Sequence, residues 1–154
     1  MPRNFLFFCA LTLAGCTGIS PRTKPPPAQT PETVIQALAA AGVPYHRGGQ
    51  SPASGFDCSG LVAHVFQEAY GIRLPHNARA QSRMGRPVSP NRLQAGDLVF
   101  YNTERPFSHV GIYLGDDRFI HAPKPGASVR VESMRSRYWE RRFDGARRID
   151  PGHR

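Results

Sequence analysis

The sequence predicts an α+β domain in which N-terminal helices pack on a small antiparallel sheet. Two observations carry that reading. Apolar residues recur at helical spacing through the first half of the chain and alternate through the second half. Helices first and strands second, with no internal repeat, favour helices segregated to one face of an antiparallel sheet. The length of 154 residues allows one domain with a modest core.

The chain opens with Arg3 and an apolar run from Phe5 to Leu13, too short to span a bilayer as a mature helix. The run ends in Leu13-Ala14-Gly15-Cys16. A basic start, a short apolar core and small residues before a cut site describe a secretory signal over residues 1–15. Leu-Ala-Gly-Cys also resembles the lipobox of bacterial lipoproteins, which implies lipidation of Cys16 after cleavage. Residues 16–30, rich in proline and poor in apolar side chains, read as a tether reaching on the order of 40 Å when extended. Residues 31–154 then form the folded domain. Loss of residues 1–15 leaves 19 basic residues against 11 acidic, a net charge of +8. That balance suits an anionic neighbour. The seven arginines between Arg135 and Arg154 are interrupted by acids and do not make a nucleic-acid arm.

Within the domain, Thr30-Pro31-Glu32 reads as a helix start, with Thr30 as N-cap and Pro31 at the first helical position. Val34, Ile35, Leu38 and Ala39 supply an apolar face and Gly42 ends the helix. The Gly- and Pro-rich stretch from Gly42 to Asp57 reads as a loop. Asp57 caps a second helix from Cys58, with Leu61, Val62, Val65, Phe66 and Ala69 as its stripe and Gly71 as its stop. Residues 72–75 are extended, 76–84 hold a short helix, and Ser89-Pro90-Asn91 marks a turn. Strands are predicted over 97–101, 109–114, 119–122 and 129–131.

Cys58 is the chemically conspicuous residue. With Cys9 removed and Cys16 blocked by lipid, it is the one free thiol of an exported chain, an unusual state in an oxidising compartment. At a helix N-terminus the macrodipole favours its thiolate. In the hairpin turning at Gly115-Asp116, position 109 lies across from about position 121. His109 and His121 then share the face opposite Val110, Ile112 and Leu114, with Cβ atoms about 5 Å apart when directly opposed. Nucleophilic cysteine catalysis needs a thiolate, a base and a group that orients the base. Cys58, His109 and His121 fit those roles in that order. The first-turn amides from Cys58 and the Tyr45 hydroxyl are candidate oxyanion donors. His46, His64 and His76 read as ordinary polar residues, His64 being rotated about 240° from Cys58 on the helix. Arg47 reads as solvent-facing. A zinc site needs three or four convergent ligands, so neither metal nor cofactor is expected.

Pro44-Tyr45, Gly48-Gly49 and Gly55-Phe56-Asp57-Cys58-Ser59-Gly60-Leu61-Val62, followed by Ala95-Gly96-Asp97-Leu98-Val99, Ser108 to Gly115 and Phe119-Ile120-His121-Ala122, resemble the NlpC family of bacterial cell-wall peptidases. Tyr138 to Phe143 and Ala146 to Arg148 extend the resemblance, which runs from Val34 to Ile149. The lipobox, the domain size and the Tyr-Trp segment point within that family to the lipoprotein murein endopeptidases of Gram-negative bacteria. The resemblance implies a papain-like fold and a thiol endopeptidase acting on peptidoglycan stem peptides or crosslinks, with Cys58 as nucleophile, His109 as base, His121 as orienting residue and Tyr45 supporting the oxyanion. His46-Arg47 departs from the family's more usual basic–aromatic or basic–aliphatic pair. The implied setting is a monomer tethered by lipid to the outer membrane and facing the periplasm, with peptidoglycan and the membrane as partners. The competing expectations are a non-catalytic peptidoglycan-binding lipoprotein and an amidase or acyltransferase on the same scaffold.

Overall fold

The computed structural model describes residues 30–152. The signal sequence, Cys16 and most of the tether lie outside the described residues. No helix among those described is long and apolar enough to cross a membrane. The architecture is α+β: a helical layer lies on one face of a six-stranded sheet in which every pairing is antiparallel.

The first helix, α1 (Glu32–Ala39), begins one residue later than its expected cap. Pro31 occupies the N-cap, and its carbonyl accepts the amides of Val34 and Ile35 at 2.9 and 3.3 Å. The buried face also differs from the expected one. Thr33, Val34, Ala37 and Ala40 face inward, while Ile35 and Leu38 are 49% and 47% exposed. α1 packs on both the second helix and a central strand, and small side chains at 33, 37 and 40 allow that close approach. Hydropathy alone chose the larger residues.

The expected loop after Gly42 contains a two-stranded hairpin, β1 (Gln50–Ser51) with β2 (Gly55–Phe56), pairing Gln50 with Phe56. Its backbone closes on the next helix, α2 (Cys58–Tyr70). Asp57 caps that helix by accepting the Gly60 amide at 2.7 Å, and Gly71 ends it in the left-handed region at φ 66°. Leu61, Val62, Val65 and Phe66 are buried; Ala69 is half-buried. A short α3 (Ala78–Gln81) follows, capped by Asn77.

The sheet runs in the order β3 (Arg86–Val88), β8 (Phe143–Arg148), β4 (Leu98–Tyr101), β5 (His109–Gly115), β6 (Arg118–His121), β7 (Arg130–Ser133). Four of these are the predicted strands; β3 and β8 are additions. Buried Asp97 and Arg148 join the β4 start to the β8 end through bonds of 2.6 and 2.7 Å. Alternation along β5 and β6 sends Val110, Ile112, Ile120 and Ala122 toward α2. Tyr113 and Phe119 point to the other face, where Val99, Tyr101, Ala146 and Trp139 of α4 (Arg137–Glu140) form a second cluster.

The register of the catalytic-looking hairpin is offset from the expected one. Ile112 pairs with Ile120 and Tyr113 with Phe119, and a bulge precedes the Gly115–Arg118 pair. Asp116 and Asp117 form the turn at φ 50° and 55°, as in a two-residue hairpin turn with both central residues left-handed. Gly111, rather than His109, therefore lies beside His121. A shift of two residues keeps every side chain on its predicted face. A Cβ on Gly111 would sit 2.7 Å from Phe119 Cδ2 and 3.2 Å from His121 Cβ. The glycine leaves that space for the two rings, and His109 reaches His121 diagonally.

Candidate active site

Cys58 stands at the first turn of α2, partly buried and unbonded to any other cysteine. Asp57 beside it holds three segments together. Its Oδ1 accepts from Gly60 at 2.7 Å and meets His76 Nε2 at 2.7 Å, while Oδ2 accepts the Gly48 amide at 2.9 Å. His76 thus supports the turn that carries Cys58 and is not an isolated polar residue. Its spacing of 19 residues from Asp57 left no signal in the sequence. Buried Gln81 adds a bond from Nε2 to the Ser59 carbonyl at 3.0 Å and another to Pro75 at 2.8 Å. The cap, the hairpin loop and the segment before α3 therefore all converge on the turn that carries the thiol.

His109 and His121 are buried, 5% and 0% exposed, and His109 Nε2 lies 2.7 Å from His121 Nδ1. Because Nε2 is engaged, Nδ1 is the nitrogen of His109 left to serve as a base. Trp139 stacks on His109 at 5.4 Å and 23° and meets His121 edge-on at 5.0 Å. Such packing restricts the rotation of both rings. The backbone at Val110, next to His109 in the chain, favours the Cys58 thiolate, as does the backbone of Cys58 and Ser59. This connection couples the start of β5 to the start of α2.

Tyr45 is brought to the same end of α2 by a bridge to Phe56, and its amide bonds the Ala127 carbonyl at 2.8 Å. Burial raises its phenol pKa first, and charge on Cys58 and Asp57 raises it further. His46 and Arg47 are exposed, as read for Arg47. His64 lies against Phe56 at 5.1 Å and lines a groove with Gln50 and Arg73, away from the histidine pair. Among the described residues no cluster of three or more His, Cys, Asp or Glu has metal-binding geometry.

The electrostatics depart from the expectation of a stabilised thiolate. Burial and the adjacent Asp57 charge push the Cys58 thiol up to about 11, against the opposing amides. Burial pulls His109 and His121 well below the usual histidine range. Desolvation outweighs the dipole because both partners are shielded from water. The resting pair is consequently neutral thiol and neutral imidazole. The alkylation rate of Cys58 by iodoacetamide, followed by mass spectrometry of its peptide, is expected to rise with a midpoint above the free-cysteine value of about 8.5. A rate already level at neutral pH would contradict the neutral resting state.

The sequence singles out Cys58, His109, His121 and Tyr45; the structure brings Tyr45 and Cys58 together at the N-terminus of α2 and joins His109 to His121 at the start of β5. It adds His76, Gln81, Glu132 and Trp139. Trp139 belonged to the Tyr-Trp resemblance, but neither the pattern nor the spacing placed it against a histidine.

A sequence model described as the NlpC/P60 family matches residues 42–148. The chain is 39% identical over 112 residues to "Murein DD-endopeptidase MepH" of Escherichia coli strain K12, covering 70% of this chain and 41% of that protein. It is 43% identical over 127 residues to "Gamma-DL-glutamyl hydrolase" of Bacillus subtilis strain 168, covering 80% and 30%. To "Murein DD-endopeptidase MepS/Murein LD-carboxypeptidase" of E. coli strain K12 it is 42% identical over 108 residues, covering 70% and 56%. The chain thus spans between about a third and just over half of the length of these curated relatives. Among solved structures, the NlpC/P60 domain of the peptidoglycan hydrolase SagA superposes with a TM-score of 0.70 at 34% identity, covering 79% of this chain and 99% of that one. An NLP/P60 family protein from Staphylococcus aureus subsp. aureus Mu50 gives 0.70 at 39%, covering 78% and 41%. Sequence and fold agree across the segment that holds the thiol and both histidines: the chain belongs to the NlpC/P60 family.

Proposed function

We propose that the chain is a cysteine endopeptidase that hydrolyses peptidoglycan stem peptides or the crosslinks between them. The observation that carries this reading is the buried His109–His121 bond at the start of β5, next in the chain to Val110, whose backbone favours the Cys58 thiolate. As substrate binds, the thiol proton passes to His109 Nδ1 and sulfur attacks the amide carbonyl carbon. In this reading the amides at the start of α2 and the Tyr45 hydroxyl supply the donors for the developing oxyanion. Collapse of the tetrahedral adduct breaks the C–N bond, and the leaving amine takes the proton from His109. Water, deprotonated by His109, then cleaves the thioester, releasing a carboxylate and restoring the thiol. His121 holds His109 in orientation throughout, and no cofactor enters these steps.

A groove of about 460 Å³ lies beside the pair, between Glu104, Lys124, Arg130, Tyr138 and Trp139. Its aromatic wall and mixed charges, with Arg130 paired to Glu132 and Lys124 beside Glu104, suit a polar peptide. We place the domain in the cell envelope, as a monomer held to the outer membrane through lipid on Cys16 and facing the periplasm. The lipobox and the absence of aspartate at Thr17 support that address. The resemblance to the lipoprotein endopeptidases favours the D-alanyl–diaminopimelate crosslink. The γ-D-glutamyl–diaminopimelate bond within a stem is the second reading.

Purified sacculi incubated with the protein are expected to release soluble muropeptides, whose masses identify the bond. Binding without release would remove the enzymatic reading in favour of a wall-binding protein. Products of amide cleavage between glycan and stem, or of acyl transfer, would keep the scaffold and change the reaction.

A further inference from the structure

His121 Nδ1 bonds His109, but its other nitrogen, Nε2, is fully buried without a hydrogen bond among the described residues and faces Glu132 Oε1 at 3.5 Å. β7 places Glu132 there because it pairs Phe119 with Glu132 and His121 with Arg130. The alternation of the sheet then turns Glu132 to the histidine face. The carboxylate is itself fixed. Oε1 accepts from Arg130 Nε at 2.6 Å, and Oε2 accepts from Trp139 Nε1. Trp139 is the ring stacked on His109. One carboxylate thus addresses both imidazoles, His121 directly and His109 through the indole.

We propose that Glu132 is a positioning residue that sets the direction of a Glu132–His121–His109 relay and thereby presents His109 Nδ1 to Cys58 as a lone pair. The proposal rests on Cys58 and His109 being the reacting pair. An anion facing His121 Nε2 favours the proton on that nitrogen. Nδ1 of His121 is then an acceptor, so His109 Nε2 carries the hydrogen of the 2.7 Å bond and His109 Nδ1 carries none. The opposite arrangement would point an N–H at a neutral thiol and leave no base. When His109 takes the thiol proton, the same carboxylate lies at the far end of the relay to balance the new charge.

The surrounding charges agree with this assignment. Partial burial works to raise the Glu132 pKa, but its bonds from Trp139 and Arg130 outweigh it and hold the carboxyl below its ordinary value. Burial lowers both histidines most strongly, and Glu132 opposes it in each case. The other ionisable groups around the relay are Arg130 on β7, Cys58 on α2 and Tyr101 on β4, with Glu104 and Lys124 lining the adjoining groove. Glu132 is the carboxylate that faces His121 Nε2.

Ring ¹⁵N shifts of the histidine-labelled full chain near neutral pH test the direction without any variant. Both His109 and His121 are expected as Nε2–H tautomers, and an Nδ1–H tautomer in either ring would overturn the proposal. Glu132→Gln preserves shape and can still accept from Trp139 while losing the charge. Cys58 in that variant is expected to alkylate about tenfold more slowly at pH 7.5, where His109 must take the proton, and at an unchanged rate at pH 11.5, where the thiolate forms without it. On crosslinked muropeptides, kcat is expected to fall about tenfold with KM within about twofold. A Glu132→Gln protein that matches the native rates at both pH values, with Glu132→Ala alone impaired, would reduce Glu132 to a support for Trp139. If the native chain cuts no muropeptide yet shows the tautomers and the alkylation difference, the substrate assignment fails and the relay stands.

Discussion

Cys58→Ala is expected to abolish muropeptide release, a fall of at least about 10³-fold in turnover, while the protein stays folded. The first part follows from chemistry. Alanine offers no nucleophile, and the neighbouring hydroxyl, Ser59, is buried and turned toward Asp57 at 3.3 Å. The second follows from the mount. Asp57 keeps its bonds to Gly60, Gly48 and His76 without the sulfur, and alanine is a good residue for the first turn of a helix. The lost contact is one partly buried atom, so stability is expected to change by no more than about 1 kcal/mol. Release of muropeptides and a thermal melt of the same preparation check both parts. His109→Ala is expected to lower turnover comparably, and the double variant no further, because thiol and base act as one unit. Additive losses would mean that the two residues work in separate steps.

The sequence made this site legible where the chemistry is local. Asp57, Cys58 and Gly71 mark a helix by its ends, and period-two alternation placed His109 and His121 on one face even though the pairing is offset. A two-residue slip preserves facing, so the inference survived an error in register. What could not be read depends on contacts distant in sequence. β8 pairs with β4 and β3 through residues 42 to 62 positions away. Its own segment, Phe143–Arg148, is only half-buried and rich in charge, so it carries little alternation. His76 and Glu132 act through bonds that no periodicity encodes. The thiol's pKa was misjudged for a related reason. The helix dipole is visible in sequence, but the burial that opposes it comes from the core against which Cys58 packs, built of residues distant in the chain.

The glycine three residues after Asp57 presents a contest between two effects of opposite sign. In a helix interior, Gly60→Ala gains about 1 kcal/mol from propensity alone. In this fold its Cβ would lie 1.9 Å from the Gly49 carbonyl oxygen and 3.1 Å from Asp57 Oδ1. The first obstacle is backbone, so no rotamer change relieves it. Gly49 cannot retreat easily either. Its carbonyl accepts the Asp57 amide at 3.1 Å, its amide bonds the His46 carbonyl at 2.9 Å, and its own α-carbon is pressed toward the Gly55 carbonyl. The β1–β2 hairpin must therefore lift from α2, breaking the bond to Asp57 and loosening the turn that aims Cys58. Steric cost is expected to win, with a net destabilisation of about 3 kcal/mol and a fall in melting temperature of about 10 °C. Gly42→Ala supplies the comparison: its φ is +85° but nothing lies within 4 Å of the added carbon. That variant is expected to cost only about 1 kcal/mol of backbone strain. Thermal melts of the two variants measured together decide the matter, and a Gly60→Ala protein as stable as the native one would show that the hairpin is not seated on the helix as described.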